Sequence, residues 1–255
     1  MKSAIKVLIT HVWFPILCIL TWQLIQITSN NPFIPSISRI YSSLNYLIDE
    51  NILLPNLFHS LTTLAIGYFI GSFLGVFFGT FLGSSKGALK IALPITNFIR
   101  CVPSIAKVPV VMALFGIGTL TRITIVAVAV FFPVLLGTLR AIANLDTVLL
   151  EHIRLLNYGK VKTLFTMKFP AAIGEILTTL QYALQLGILI TIVSEMLGSG
   201  IGIGAFVIRS QSTFMIPEMW VGIIVVGIVG LTLNEIFNFL ERKIVPWHFL
   251  VKGYK

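Results

Sequence analysis

Residues 67–83 read GYFIGSFLGVFFGTFLG, an apolar run with a glycine at every fourth position. The five glycines are Gly67, Gly71, Gly75, Gly79 and Gly83. In water, a glycine inside a helix costs about 1 kcal/mol relative to alanine. Five such glycines would destabilise a helix in water unless their small size allowed close packing. The function of the glycines therefore depends on whether water or lipid surrounds this stretch.

The composition indicates that this solvent is membrane lipid. The chain has 255 residues, of which 56% are hydrophobic and 11% are charged, whereas a soluble domain carries about 25% charged residues. Its apolar runs are continuous, as in helices that cross a bilayer, and they lack the alternation of barrel strands. We therefore predict an all-α integral membrane protein with six transmembrane helices, in the windows 7–28, 60–83, 91–115, 121–141, 173–197 and 220–240.

The basic residues predict the orientation of these helices. If the N-terminus is cytoplasmic, 13 of the 18 lysines and arginines lie inside, Arg39, Arg122 and Arg209 lie outside, and Arg100 and Lys107 lie within the third span. This bias follows the positive-inside rule and predicts that both termini are cytoplasmic. Because the charges flank spans and form no basic stripe among aromatics, they do not indicate nucleic-acid binding. The four histidines are scattered, which predicts no metal site.

In lipid, the glycine stripe has an evident use. Small residues at every fourth position let two helix backbones approach closely. Each step of four residues turns the helix by about 400°, so the stripe drifts by about 40° per step and should wrap across a neighbouring helix. Two interpretations stay open, a fixed seam within one subunit and a seam that slides during a conformational cycle.

The segments outside the spans divide the chain into three parts. Residues 1–56 hold the first span and, from Ser36 to Ile48, an external helix predicted to lie along the membrane interface. Residues 57–241 form the core, and 242–255 form a basic cytoplasmic tail. Within the core, the outer segment 198–220 opens with four glycines, and we predict a flexible re-entrant or lid-like loop there.

The longest inner segment, at about 142–172, is predicted to form a helical hairpin. Asp146 and Thr147 are candidate N-caps, a break falls at Asn157–Gly159, and Pro170 is predicted to end the hairpin before the fifth span. A structured pair of short helices that projects from a membrane protein predicts a protein partner. A loop on the bilayer surface is the alternative.

This hairpin resembles the EAA loop of the permease subunits of type I, binding-protein-dependent ABC importers. That loop reads Glu-Ala-Ala, three residues, Gly, nine residues, an aliphatic residue, one more, and Leu-Pro. Here Glu151 takes the Glu position and Phe169-Pro170 the Leu-Pro position, while His152 and Ile153 replace the alanines. Asn157 replaces the glycine, and asparagine also tolerates the left-handed conformation at a helix end.

The resemblance extends to the sulfonate, nitrate and taurine branch of these permeases. It covers RCVPSIAKVPVVMALFGIGTLTRITIVAVAVFFPVLLGTLRAI (100–142), VSEMLGSGIGIG (193–204) and GLTLNEIFNFLERK (230–243). It implies the type I permease fold, a homodimer in the bacterial inner (cytoplasmic) membrane, two ABC ATP-binding subunits and an extracytoplasmic solute-binding protein. The chain lacks Walker motifs, so ATP and Mg²⁺ are expected on partner subunits, with no cofactor and no enzymatic activity on this chain.

The resemblance also implies which residues couple ATP hydrolysis to transport. The coupling set consists of Glu151, His152, Ile153, Leu156, Asn157, Gly159 and Pro170. The expected solute is a small anion such as a sulfonate, taurine or nitrate. Bicarbonate, an aromatic acid or a pyrimidine precursor of thiamine remain alternatives.

Charged residues within the spans are candidates for the translocation path. Arg100 and Lys107 lie seven residues apart on one face of the third span, where an unpaired charge costs a few kcal/mol. Lining the path is one interpretation; the other has Arg100 snorkelling to the interface and Lys107 paired with a carboxylate. Glu195 is a candidate partner of Lys107, a candidate gate, or a hydrated interfacial carboxylate. Asn234 and Glu235 favour interhelical hydrogen bonding.

The sequence contains few features of other classes of membrane protein. An intramembrane enzyme would need a nucleophile with a base or paired ligands, and neither HExxH nor GxSxG occurs. A passive channel and an exporter permease remain remote alternatives, because the EAA-like hairpin favours an importer.

Overall fold

The computed structural model describes residues 2–29, 31–156, 158–198 and 200–246, and these are helical without any strand. The helices are α1 (Lys2–Ser29), α2 (Ile37–Asp49), α3 (Leu53–Gly83), α4 (Lys86–Cys101), α5 (Val108–Phe115), α6 (Thr119–Ala143), α7 (Thr147–Leu155), α8 (Lys160–Thr163), α9 (Phe169–Gly198), α10 (Ile203–Ser212) and α11 (Ile216–Ile244). A 3₁₀ turn at Ser104–Lys107 precedes α5, and a π-helical segment at Leu164–Lys168 joins α8 to α9.

Short polar side chains fix where several helices begin. The Ser36 hydroxyl accepts a hydrogen bond from the backbone N–H of Arg39 at the start of α2, as the predicted external helix requires. At the start of α7, the Asp146 carboxylate accepts one from the N–H of Val148 at 3.1 Å. Such caps satisfy N–H groups that have no partner within the helix. The other predicted cap of α7, the Thr147 side chain, lies outside the described part of the chain.

Four described helices are long and apolar enough to cross a membrane, namely Leu53–Gly83, Thr119–Ala143, Lys160–Gly198 and Ile216–Ile244. A fifth crossing results if Gly87–Ile99 and Ser104–Phe115, which meet at a bend of 83°, form one broken span. Proline at 103 accounts for the break, because it drives Val102 out of the helical region to ψ 116°.

The count of six spans and the orientation of the termini stay predictions. The first predicted window lies in α1, where Ile16–Ser29 is a shorter apolar helix. Of the predicted basic tail, residues 247–255 lie outside the described residues, and α11 continues into the tail as far as Ile244.

Helix α6 lies at the centre of the bundle, between α3 and α9. The glycine stripe of α3 faces α6 along its whole length, and each glycine meets the residue 59 positions later. The pairs are Gly67 with Val126, Gly71 with Val130, Gly75 with Val134, Gly79 with Thr138 and Gly83 with Ile142. A constant offset means that the two parallel helices wrap around each other and stay in contact. A Cβ atom at Gly71 would lie 2.5 Å from the Ala127 carbonyl oxygen, so only glycine fits this approach.

The glycine-rich outer segment is more ordered than its composition predicts. Residues 203–212 form α10, whose Ile203 and Phe206 are buried in a cluster with Leu47 of α2 and Val221 of α11. The prediction of a flexible, lid-like loop is therefore wrong for these residues. Glycines at 202 and 204 serve close packing, because a Cβ at either position would overlap atoms of α9.

Proline at 170 does not end a helix. Residues Lys160–Gly198 run as one helix of 39 residues, and Pro170 lies in its first third. A proline cannot donate to the carbonyl four residues earlier and crowds it. The π-helical turn at Leu164–Lys168 accommodates this defect by widening the helix just before the proline. The prediction that Pro170 separates the hairpin from the fifth span is wrong.

Candidate functional site

The hairpin residues predicted to couple ATP hydrolysis fall into two environments. Glu151 and His152 are exposed on α7, whereas Ile153 is only 7% exposed and faces the protein. The Nδ1 of His152 lies 2.8 Å from the Val148 carbonyl oxygen, so this nitrogen carries the proton. Exposed Gly159 begins α8 in an extended conformation. Asn157, between the two limbs, lies outside the described residues.

The tip of the hairpin exposes large apolar side chains. Leu155 is 83% exposed, Val161 69% and Phe165 53%, and Leu156 and Tyr158 are also exposed. Leu155 and Val161 were not predicted as docking residues. The spacing of apolar residues in a short helix does not show which of its faces the rest of the protein covers. Large exposed apolar side chains on a hairpin that also exposes a carboxylate are the kind of surface that a protein partner can bury.

Lys107 occupies the bend of the broken span. Its Nζ donates a hydrogen bond to the Ile99 carbonyl oxygen at 3.2 Å and lies 5.3 Å from the centre of the Phe132 ring. The carbonyl belongs to the last turn of α4, which has no helical donor for it, and the ring face attracts the cation. The side chain is half-buried and makes no carboxylate contact among the described residues. The side chain of Arg100 lies outside the described part.

Glu195 has a role that the sequence did not predict. Its side chain is 1% exposed, and its Oε2 accepts hydrogen bonds from Ser60 Oγ at 2.8 Å and from the N–H of Gly204 at 3.0 Å. A carboxylate at a helix N-terminus satisfies an N–H and complements the helix dipole. Glu195 therefore caps α10. The prediction of a hydrated interfacial carboxylate is wrong, because the side chain lies inside the packed bundle. The bond of Lys107 goes to the Ile99 carbonyl, and a gate role for Glu195 stays a prediction.

Two residues of α3 complete this cap. Asn56 Oδ1 accepts from the N–H of Gly202, and Ser60 Oγ accepts from the N–H of Ile203, both at 2.9 Å. With Glu195, three consecutive N–H groups at the start of α10 are thus satisfied by side chains of α3 and α9. These contacts position the outer glycine segment that was predicted to be flexible.

A buried arginine and a histidine extend the network to α6. Arg122 is 6% exposed, and its guanidinium donates to the Ile201 carbonyl at 2.9 Å and to Thr119 Oγ1 at 3.0 Å. The same guanidinium lies 3.4 Å from His59 Nε2, while His59 Nδ1 lies 4.0 Å from Glu195 Oε1. Because a guanidinium only donates, Nε2 accepts, and Nδ1 presents its proton to the carboxylate. Arg122 thus lies buried in the first turn of α6, and its position on the outer side of the membrane stays a prediction.

Amide side chains connect α9 to α11. Gln181 Nε2 donates to Asn234 Oδ1 at 2.9 Å and to Asn238 Oδ1 at 2.7 Å, and Gln185 Nε2 donates to Asn234 Oδ1 at 3.3 Å. The interhelical hydrogen bonding predicted for Asn234 is confirmed. Glu235 is exposed and takes no part in this network. Among the described residues, no group of three or more His, Cys, Asp or Glu side chains could hold a metal ion.

Sequence comparisons with known proteins identify the family of this chain. Residues 88–248, which hold the hairpin, α10 and most of the bent span, match the family described as binding-protein-dependent transport system inner membrane component. A Methanocaldococcus jannaschii protein named as an ABC transporter permease is 25% identical over 98% of this chain and 96% of its own length. The nitrate import permease of Synechocystis is 30% identical over 74% of this chain and 69% of its own. The taurine transport permease of Escherichia coli is 29% identical over 61% and 56%, respectively.

The family match covers more than half of the chain, and the relatives include permeases named for aliphatic sulfonates, nitrate and taurine. The chain is therefore a multi-pass membrane protein of the ABC importer permease family, in its sulfonate, nitrate and taurine branch.

Proposed function

We propose that two copies of this chain form the translocation path of an importer in a bacterial inner membrane. Two separate ATP-binding subunits, which hold ATP and Mg²⁺, dock on the two hairpins from the cytoplasm. An extracytoplasmic binding protein delivers a small anion to the outer side. The chain itself contributes no cofactor and no hydrolytic step.

The exposed apolar tip of the hairpin carries this proposal. Leu155 on α7 and Val161 on α8 bury little surface within the single chain, and Phe165, further along the second limb, is half-exposed beside the Phe81 ring. Burying them against a partner would release the water around them and favour docking. The hairpin carries four basic residues (Arg154, Lys160, Lys162 and Lys168) against two acidic ones (Asp146 and Glu151), so the proposed groove on the partner subunit accepts an apolar projection of net positive charge.

Docking at the hairpin would transmit movement into the membrane. The second limb of the hairpin continues through Leu164–Lys168 into α9 without a break. When ATP draws the two ATP-binding subunits together, the hairpins approach each other, and the attached spans tilt between inward-open and outward-open arrangements. This is alternating access by rigid-body motion, in which ATP shifts the population of the two states.

The proposed solute is a small anion that passes Lys107. Lys107 Nζ is held by a backbone carbonyl and an aromatic ring, so its positive charge is not neutralised by a described carboxylate. The relatives named for nitrate and taurine favour the same class. Bicarbonate, aromatic acids and the pyrimidine precursor of thiamine are the alternatives.

Docking can be tested with a matched pair of variants. Leu155→Asn places an amide at the hairpin tip, and Phe214→Asn makes the same kind of change at a residue that is 75% exposed on the predicted outer side. We expect Leu155→Asn to reduce the amount of ATP-binding subunit that co-purifies, and Phe214→Asn to leave it unchanged. Equal co-purification by both variants would contradict the proposed docking surface.

The solute class can be tested at Lys107. Lys107→Met keeps the length of the side chain and removes its charge, and Lys90→Met makes the same change at an exposed position on α4. With taurine and nitrate as probes, we expect only Lys107→Met to abolish uptake while the complex still assembles. Unchanged uptake would remove Lys107 from the path.

A further inference from the structure

The segment 201–204, which leads into α10, is held by side chains of three other helices. Arg122 of α6 donates to the carbonyl oxygen of Ile201 at 2.9 Å. The next three residues donate their N–H groups to side chains of α3 and α9, at distances of 2.9 to 3.0 Å. A cation therefore binds the carbonyl of the segment, while a carboxylate and two neutral side chains bind its N–H groups. We call this segment with its side-chain partners the α10 clasp.

His59 lies between the two charged members of the clasp. Its Nε2 is 3.4 Å from a guanidinium nitrogen of Arg122, and its Nδ1 is 4.0 Å from Oε1 of Glu195. On α3 it lies one turn after Asn56 and next to Ser60, the two neutral members. The His59 side chain is 23% exposed, whereas Glu195 and Arg122 are buried. Water can therefore reach the histidine ring at a point where it contacts both charges.

The observed geometry belongs to a neutral His59. A guanidinium group only donates hydrogen bonds, so Nε2 accepts from Arg122 only while it carries no proton. A proton on Nε2 would place two donors and two positive charges 3.4 Å apart, which is repulsive. On the other side of the ring, the positive charge would be attracted to the Glu195 carboxylate. Protonation of His59 therefore breaks its contact with α6 and strengthens its contact with α9.

Few other charged groups face the histidine ring. Among the described residues, Glu195 is the one carboxylate within 4.0 Å of a ring nitrogen. Asp49 and Glu50, at the end of α2, and Arg209 of α10 are exposed and make no ion pair with the ring. Arginine stays charged throughout the physiological pH range, whereas histidine ordinarily changes its charge between about pH 5 and pH 8. His59 is therefore the member of this group that physiological changes of pH address.

Arg122 has other acceptors to which it can turn when His59 repels it. Thr119 Oγ1 and the Gly118 carbonyl oxygen accept from it at 3.0 and 3.4 Å, and both belong to the start of α6 itself.

The Ile201 peptide can also move at little cost. Gly200 and Gly202 flank it with φ angles of 62° and 111°, in a region that glycine adopts readily. A guanidinium that turns toward its own helix would leave the Ile201 carbonyl without its cation, and the segment would then lose its link to α6.

We propose that His59 is a proton sensor that fastens the α10 clasp to α6 when it is neutral and releases it when it is protonated. Acid on the side of the membrane where α10 lies loosens the packing of α10, and neutral pH keeps the closed arrangement of this structure. In an importer, the outer side of the permease would then respond to external pH without ATP. The inference rests on the proposed transport function for that meaning alone, because the loosening of α10 can be measured without solute.

The test measures how fast a buried position of α10 becomes accessible. The free and exposed Cys18 and Cys101 are first replaced by serine. Ala205→Cys then reports on the buried face of α10, where the residue is 3% exposed, and Ser212→Cys is the matched control at the exposed end of the same helix. The full chain, purified in detergent with its co-purifying subunits, is labelled with a neutral maleimide at about pH 7.5 and about pH 5.5. The ratio of the two rates cancels the fall in thiolate at the lower pH.

We expect the ratio of the Ala205→Cys rate to the Ser212→Cys rate to rise at least about tenfold on acidification, as the loss of a hydrogen bond to a charged group implies. His59→Gln keeps an acceptor oxygen for Arg122 but does not titrate, so it should hold the ratio at its neutral-pH value. His152→Gln, at the exposed histidine of the hairpin, is the matched control and should keep the full rise.

An unchanged ratio in the parent would overturn the release of the clasp. A rise that persists in His59→Gln would assign the titration to another group, such as Glu195, and would overturn His59 as the sensor. His59→Asn is a second replacement that does not titrate, and it decides the same point if His59→Gln does not fold. The ratio is measured whether or not the ATP-binding subunit co-purifies, so a failure of hairpin docking leaves this result standing.

Discussion

The α3–α6 seam, where the glycine stripe packs against α6, and the α7–α8 hairpin both follow from short local sequence patterns. Only the seam is buried within the single chain. Along the seam, every glycine of the stripe lies against α6, and a Cβ at Gly71 would meet a backbone oxygen at 2.5 Å. At the hairpin tip, Leu155 is 83% exposed. The seam therefore holds this chain together, whereas the hairpin leaves apolar surface exposed, which we propose that another subunit covers.

The most severe test of the seam is Gly71→Leu. The new side chain must displace the Ala127 carbonyl and Val130, so we expect a loss of about 3 kcal/mol or more in the free energy of unfolding, with little folded protein recovered. Thermal unfolding in detergent would measure it. Gly227→Leu is the matched control, since no atom lies within 4 Å of a Cβ there and stability should hold or rise. Similar unfolding curves for the two variants would break the comparison.

The corresponding test of the hairpin is Glu151→Lys. Because Glu151 is exposed, the free energy of unfolding should change by no more than about 0.5 kcal/mol. In proteoliposomes, however, stimulated ATP hydrolysis should fall to the level of the uncoupled ATP-binding subunits. Normal stimulated turnover would show that the hairpin does not transmit the coupling.

The cap of α10 allows a smaller and more selective test. Glu195→Ala leaves the N–H of Gly204 without its acceptor and leaves the Ser60 hydroxyl only the Asn56 carbonyl at 3.2 Å, so we expect a loss of about 1–3 kcal/mol in stability. Glu195→Gln keeps an acceptor oxygen and should lose less. Glu175→Ala, at an exposed carboxylate, should stay within about 0.5 kcal/mol of the parent. If Glu195→Ala were as stable as Glu175→Ala, the buried cap would contribute nothing.

The smallest effect is expected inside the seam itself. The Thr138 hydroxyl is fully buried beside Gly79 and has no hydrogen-bond partner in the described structure. Thr138→Val keeps the shape and removes the unsatisfied group, so stability should stay equal or rise by up to about 1 kcal/mol. A clear loss in thermal unfolding would mean that the seam uses this hydroxyl.

Local patterns account for what the sequence could predict. The spacing of Gly67–Gly83 and the cap at Asp146 each depend on neighbours within a few residues, and each was predicted from the chain. The limits of local reasoning show at Pro170, where a π-helical turn lets the helix continue past a residue that ordinarily ends one.

Long-range polar contacts account for most of what the sequence could not predict. His59 and Arg122 are 63 residues apart, and Ser60 and Glu195 are 135 apart, so no window of sequence contains both members of either pair. Each residue taken alone is typical of a solvated loop or interface. Only the fold shows that they meet, and their meeting turns the glycine-rich segment before α10 into a packed element.

The unbroken helix from Lys160 to Gly198 has a mechanical consequence. Its 39 residues measure about 58 Å, so a tilt of about 5° displaces one end by about 5 Å relative to the other. Its far end lies where Gly198 touches Met112 of the bent span. In the proposed cycle, a small tilt imposed at the hairpin end would therefore move the far end by several ångströms without unwinding the helix between them.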